Sequence, residues 1–390
     1  MFITHNIRFI NFKIKKSKKI LKKINSSWFD QFEVIKTLKK NYQYNYNRKL
    51  LKKLSKNNTF RIIGIGGSIL GIEAIYQFLN HRIKKNFYFI NNLQNKNNIK
   101  NKNNKILNII ISKSGNTLET IVNSNKLIHQ SKKNNIFITE NKISFLNLLA
   151  KKLKSEIVEH KNFVGGRYSV LSEVGMLPAE LMGFDEKKFK RFNYLIKKKN
   201  FMNFLVDNVN KTLTLIKKKK TTSIILNYDE RSDNLFRWYQ QLISESLGKK
   251  SKGVLPIISS MPKDNHSLLQ LYLDGPKSNF FTFFKVNDKK IIRLNKNLIL
   301  NSHNYLKSKS LNHIIESQIN ATKNVFTQKK IPFRSIEIKN RNEQSLGELF
   351  CFFILETILL GRALEVNPFD QPSVELVKKQ TKKFLIQTKK

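Results

Sequence analysis

The sequence predicts an α/β protein made of two blocks of mainly parallel sheet, each covered by helices on both faces. From residue 61 onward, short apolar runs of strand length alternate with stretches of helical spacing, and this alternation occurs twice. A length of 390 residues suits two such blocks better than one small core. The expected division is a helical extension over 1–58, a first domain over 59–195, and a second over 196–390 that ends in helices.

Residues 1–58 read as basic helices and loops, with apolar positions concentrated at 32–38 and 50–54. Residues 61–67 read as a buried strand running into glycines. A helix follows over 68–79, carrying Leu70, Ile72, Ile75 and Phe78 on one stripe. Strands over 87–90, 106–112, 135–139 and 157–159 then alternate with helices over 117–127, 145–153 and 169–182. The second block repeats the pattern, with strands over 222–226, 253–258 and 280–286 and helices over 234–247 and 266–273. From 346 to 385 the spacing is helical, interrupted by a turn over 367–372 that contains two prolines. Lys/Asn-rich stretches at 94–105 and 217–220 read as solvated loops or helix ends, and the boundary between blocks falls near 187–217.

Composition narrows the class. Hydrophobic residues make up 40% of the chain, enough for two cores, yet no apolar run is long enough to span a bilayer. The start, Met1-Phe2-Ile3-Thr4, leads into Lys-rich sequence without an apolar segment and small-residue cleavage site, so a cytoplasmic setting is expected. The single cysteine, Cys351, lies in an apolar stretch and reads as a packing residue. Basic residues outnumber acidic ones 73 to 27, for a net charge of +46. That excess is mostly Lys, is spread along the whole chain, and travels with Asn, Ile and Phe, residues that share AT-rich codons. This favours compositional drift over a nucleic-acid partner. The positive field would still speed the arrival of a phosphorylated substrate.

Two strand-turn-helix junctions in the first block suit a small anion. In Gly64-Ile65-Gly66-Gly67-Ser68, glycines allow close backbone approach beside a helix N-terminus. Ile69 stands where a dinucleotide fingerprint requires glycine, and no Gly-Lys-Ser/Thr closes the turn as in a P-loop. Ser112-Lys113-Ser114-Gly115-Asn116-Thr117 packs three hydroxyls and an ammonium into six residues, without a carboxylate. An ordinary helix cap at Ser114 or Asn116 would explain one hydroxyl; a phosphate monoester explains all of them.

Groups able to move a proton lie elsewhere. Arg167, in Val164-Gly165-Gly166-Arg167-Tyr168-Ser169, opens a helix where the dipole disfavours a cation, which points to a functional role. Gln241 and Glu245 are four apart on one helix face. Glu245 stands at the C-terminal end of that helix, where an acid opposes the dipole, a placement that suits a general base better than an ordinary surface residue. His266 follows Pro262-Lys263-Asp264-Asn265 between two expected core elements. Lys378 follows Gln371 by seven residues across Pro372. No His/Cys/Glu spacing suggests a metal site.

Together these segments resemble the glucose-6-phosphate isomerase family of the SIS fold group. The motifs that carry the resemblance are those around Gly64–Ser68, Ser112–Thr117, Arg167, Glu245, His266 with Asp274-Gly275, and Asn367-Pro368-Phe369-Asp370-Gln371-Pro372 through Lys378. They occur in the family's order across residues 61–385. The resemblance implies two SIS-type three-layer domains and an aldose–ketose isomerase that needs no cofactor. Gly67, Ser68, Ser112, Lys113, Ser114 and Thr117 would hold the substrate phosphate and nearby sugar atoms. Glu245 would carry the proton between C1 and C2, Arg167 would stabilise the enediolate, and His266 and Lys378 would assist ring opening. Gln241 and Gln371 would lie beside the substrate. The family's histidine comes from the other subunit, which implies a homodimer. Asn116 departs from the family's usual Thr, and the chain is short for the family. Two readings stand beside this one: another SIS sugar-phosphate isomerase, for example with dual glucose/mannose activity, and a non-catalytic sugar-phosphate sensor.

Overall fold

The computed structural model describes residues 7–12, 26–93, 106–128, 134–287 and 292–387; the stretch at 94–105 lies outside them. Among these, five strands form one sheet: β1 (Thr59–Ile63), β2 (Asn86–Ile90), β3 (Ile106–Ile111), β4 (Asn135–Thr139) and β5 (Glu156–Glu159). Their order is β2-β1-β3-β4-β5 and every pairing is parallel. A second parallel sheet has the order β7-β6-β8-β9, with β6 (Thr222–Asn227), β7 (Leu255–Ser260), β8 (Asn279–Val286) and β9 (Phe333–Ile338). β3 reads Ile-Leu-Asn-Ile-Ile-Ile and is buried at every position, the pattern of a central strand covered on both faces. In the first sheet the strand order reverses between β1 and β3. The crevice beyond the C-terminal ends of such a pair is where open α/β sheets bind ligands.

One hydrophobic cluster runs through both halves, joining Phe60 and Ile62 of β1 to Phe284 of β8 and Ile336 of β9. The Glu343–Leu364 helix is buried along nearly its whole length and packs Phe350 edge-on against Trp238, at 4.9 Å between ring centroids. Cys351 lies inside this helix, unpaired, and burial pushes its thiol up to about 12. The helices Leu70–Leu79 and Asp233–Leu247 run antiparallel across the junction. Gln77 at the end of the first accepts from the Asn234 N–H at the start of the second, and Gly66 meets Gln241 at the other end.

Residues 7–12 tie to the second sheet. Ile10 bridges β9 through an N–H···O bond of 2.7 Å to Phe333. Further on, the Tyr42, Tyr44 and Tyr46 hydroxyls donate to Glu173, Glu186 and Glu180. The apolar stretch at 32–38 forms a 3-10 helix (Glu33–Leu38), and that at 50–54 lies in the Arg48–Ser55 helix.

Four expectations need correction. The strand expected over 61–67 stops at Ile63, because the glycines form a 3-10 turn over Gly66–Ser68. The helix expected over 169–182 is a 3-10 segment (Gly166–Leu171) followed by an α-helix (Glu173–Leu181). Extended Ser172 separates them and caps the second by accepting from the Val174 N–H. The helix expected over 266–273 is a 3-10 turn (Lys263–His266) and a short α-helix (Leu269–Asp274). The strand expected over 253–258 runs instead from Leu255 to Ser260, because Gly253 has a positive φ of 118°.

Candidate active site

The two glycine turns and the catalytic candidates meet at the junction of the halves. The turn after β1 brings Gly67 so close to Gly166 that a Cβ on Gly67 would lie 2.2 Å from the Gly166 carbonyl carbon. Gly66 has a φ of +55°, and its missing side chain leaves room for the Gln241 amide. The Ser169 hydroxyl lies 2.7 Å from the Gly166 carbonyl and 3.1 Å from the Gly67 carbonyl, so its one proton is shared between the 165–169 turn and the 64–68 turn.

Arg167 is the hub. Its guanidinium donates from Nε to Ser246 Oγ at 2.8 Å, and from one terminal nitrogen to Glu245 Oε2 at 3.2 Å and Gln371 Oε1 at 2.9 Å. The other terminal nitrogen donates to the carbonyls of Pro368 at 2.7 Å and Asp370 at 2.9 Å. The indole N–H of Trp238 holds the Arg167 carbonyl at 3.1 Å. Lys249 secures the same C-terminal turn, pairing with Asp370 at 2.8 Å and donating to the Asn367 carbonyl. That contact holds the Asp370 carboxyl below its usual range.

Glu245 is only part-buried. Its Oε1 accepts from Gln241 Nε2 at 2.9 Å. Donation to a carboxylate fixes the orientation of the Gln241 amide, and its Oε1 then lies buried with no donor among the described residues. A carboxylate, a guanidinium and an acceptor amide thus share one wall beside the 64–68 turn. This arrangement suits proton transfer next to a developing oxyanion.

The 112–117 turn lies at the same sheet edge, since β1 and β3 are parallel neighbours with Ile63 opposite Ile110. Gly64 packs against the Ile111 carbonyl. Within the turn, Ser112 Oγ and Thr117 Oγ1 share a hydrogen bond of 2.9 Å, and Ser114 Oγ accepts from the Asn116 N–H. Asn116 caps a different helix from the one expected: its side chain accepts from the N–H of Phe145, at the start of Phe145–Lys152. Lys113 donates to the Asn162 carbonyl at 2.8 Å and faces Glu140 at 3.6 Å. Burial lowers its proton affinity, and Glu140 partly offsets that.

Gly67, Ser68, Arg167, Gln241, Glu245 and Gln371 are therefore brought together, with Ser112, Lys113, Ser114 and Thr117 on the adjoining turn. His266 and Lys378 are not. His266 is exposed on the Lys263–His266 turn, which Asp264 orders by accepting from Ser259, Ser260 and Ser267. Lys378 is exposed on the Pro372–Gln387 helix and pairs with Glu375 at 2.6 Å. The residues that hold Arg167 in place, Tyr168, Trp238, Ser246 and Pro368, carried no sequence signal of a role beyond their nearness to the motifs. Among the described residues, no group of three or more His, Cys, Asp or Glu side chains could hold a metal ion, and no helix is long and apolar enough to cross a membrane.

Two parallel sheets with this junction between them define an SIS-type sugar isomerase. The chain belongs to the phosphoglucose isomerase family, whose model matches residues 52–390. It is 34% identical over 355 residues to the glucose-6-phosphate isomerase of Methanocaldococcus jannaschii, covering 86% of each chain. It is 33% identical over 351 residues to that of Mycoplasmopsis pulmonis, covering 83% of this chain and 82% of the relative. The fold matches a hypothetical protein of Thermus thermophilus with a TM-score of 0.77 at 24% identity, covering 92% and 90% of the two chains. It also matches a glucose-6-phosphate isomerase of Chlamydia trachomatis with a TM-score of 0.71 at 18% identity, covering 86% and 71%.

Proposed function

We propose that this chain interconverts glucose 6-phosphate and fructose 6-phosphate by ring opening and proton transfer through a cis-enediolate. The observation that carries this reading is Glu245 Oε2 lying 3.2 Å from an Arg167 donor, at a wall shared with the 64–68 turn. Glu245 takes the proton from the carbon next to the carbonyl and returns it to the neighbouring carbon, so one carboxylate serves both directions. The enediolate between those steps is anionic, and the Arg167 edge that faces Glu245 stabilises it. Ser112, Lys113, Ser114 and Thr117, with Gly67 and Ser68, bind the phosphate. That group does not react, and its binding energy positions the sugar. Gln241 and Gln371 lie beside the substrate.

His266 and Lys378 assist ring opening in this reading, and His266 serves the site of a second copy in a cytosolic homodimer. The exposed position of His266 supports that assignment. So does the Pro372–Gln387 helix, which buries none of its residues and exposes Val374, Leu376, Val377, Phe384, Leu385 and Ile386. The test is purified protein with fructose 6-phosphate, coupled to oxidation of the glucose 6-phosphate formed. Sustained turnover is expected; absence of product removes the reading. Mixed dimers of Glu245→Gln and His266→Ala chains should regain activity if the histidine crosses the interface, and their failure to do so removes the shared site.

A further inference from the structure

We infer that Ser246 and Tyr168 form a positioning pair that divides the Arg167 guanidinium into a fixed edge and a working edge; this rests on the isomerase reading above. All five N–H donors of Arg167 have acceptors. Three of those acceptors cannot leave: the Pro368 and Asp370 carbonyls belong to the backbone, and Ser246 Oγ is fully buried on its helix. The other two, Glu245 and Gln371, are side chains on the part-open wall and can exchange Arg167 for substrate oxygens.

The direction of each proton follows. The Tyr168 hydroxyl has one proton and gives it to the Pro368 carbonyl at 2.9 Å. In its 2.9 Å contact with Ser246 Oγ, Tyr168 is therefore the acceptor and Ser246 the donor. With its own proton committed, Ser246 presents a lone pair to Arg167 Nε. The relay from Ser246 to Tyr168 to Pro368 has one consistent orientation, and both hydroxyls are buried. It joins the Asp233–Leu247 helix, the Gly166–Leu171 segment and the C-terminal turn. A guanidinium held this way does not swing when Glu245 or Gln371 lets go, so its working edge meets the developing oxyanion already aligned.

Losing the serine hydroxyl frees Nε and loosens the relay, a misalignment that acts on the transition state more than on substrate binding. Ser246→Ala is expected to lower kcat about 10- to 100-fold with KM within about twofold. Ser246→Thr, which keeps the hydroxyl, is expected to recover most of kcat. Tyr168→Phe is expected to follow Ser246→Ala in direction, and it serves as the second variant if Ser246→Ala fails to fold. Melting temperature separates a loss of fold from a loss of alignment. Unchanged kcat in both variants, or losses that match the unfolded fraction or appear only in KM, would overturn the positioning role alone. No turnover by the unaltered protein would remove the isomerase reading itself, and this inference with it.

Discussion

Two of the arginine–glutamate pairs, Arg334–Glu356 and Arg167–Glu245, have arginines buried to the same degree, and their surroundings differ in one respect that matters. Arg334 and Glu356 are each only 3% exposed. The two terminal nitrogens of Arg334 each donate to one oxygen of Glu356, Nε donates to Thr282, and Asn208 accepts a further bond. Burial opposes the charge on Arg334, but the carboxylate beside it outweighs burial and raises its proton affinity. Arg167 is equally buried, yet Glu245 is 25% exposed and shares the wall with a buried, unpartnered Gln241 oxygen. A charge pair closed on every side acts as a fastener. A pair with one open member can break and re-form during a reaction. The same two residue types thus acquire different work from one carboxylate's access to solvent.

Substitutions can break this comparison. Glu245→Gln is expected to lower kcat about 10²–10⁴-fold, the usual contribution of one positioned acid/base, with little change in melting temperature; a near-normal kcat would make Glu245 a second fastener. Glu356→Gln is expected to do the reverse. Leaving the Arg334 charge buried should cost about 3–5 kcal/mol in urea unfolding while the folded fraction keeps its kcat. A large kcat loss there would mean the two pairs are coupled.

Acid sharpens the contrast through a third group. His160 is buried, and burial holds its imidazole down to about 4 from 6.5, opposed in part by a hydrogen bond to the Lys161 carbonyl. Between those values the unfolded chain binds the proton and the folded chain does not. The share of stability that depends on His160 should therefore fall as pH drops from 6.5 towards 4, by about 3 kcal/mol, against an opposing gain from buried Glu73, whose carboxyl is pushed up to about 7. His160→Gln should remove that share, so its stability relative to the unaltered protein should improve as the pH drops through this range; urea midpoints measured for both proteins decide. The smallest expected effect is that of the double replacement Arg334→Met with Glu356→Leu, which should recover most of what Glu356→Gln loses, because no charge is then stranded. A double variant as unstable as the single one would mean that the pair stabilises the fold beyond merely neutralising itself.

Much of the fold was legible in the sequence because the first sheet is written in plain signals. β4 covers the 135–139 range expected around its Ile-Phe-Ile run, and β3 is apolar apart from Asn108. β9 was missed, along with the Leu311–Gln328 helix before it. β9 reads Phe-Arg-Ser-Ile-Glu-Ile, and its Arg334 looks like a surface residue until Glu356, 22 positions later, is seen to neutralise it. The candidate site shows the same limit. Gln241 and Glu245 could be paired from their spacing on one helix. The acceptors of Arg167 could not, because two are backbone carbonyls 201 and 203 residues away. Short-range periodicity carries no information about which distant carbonyl will turn inward.

Because those carbonyls belong to the turn before the last helix, translation delivers the parts of this site in a fixed sequence. The glycine turn, the hydroxyl turn, Arg167 and Glu245 all leave the ribosome before Pro368 and Asp370 do. A nascent chain halted ahead of that turn holds Glu245 and Arg167 but not the carbonyls that orient the guanidinium. The bonds that fix one edge of the Arg167 guanidinium can therefore form only after residues 368–370 have emerged.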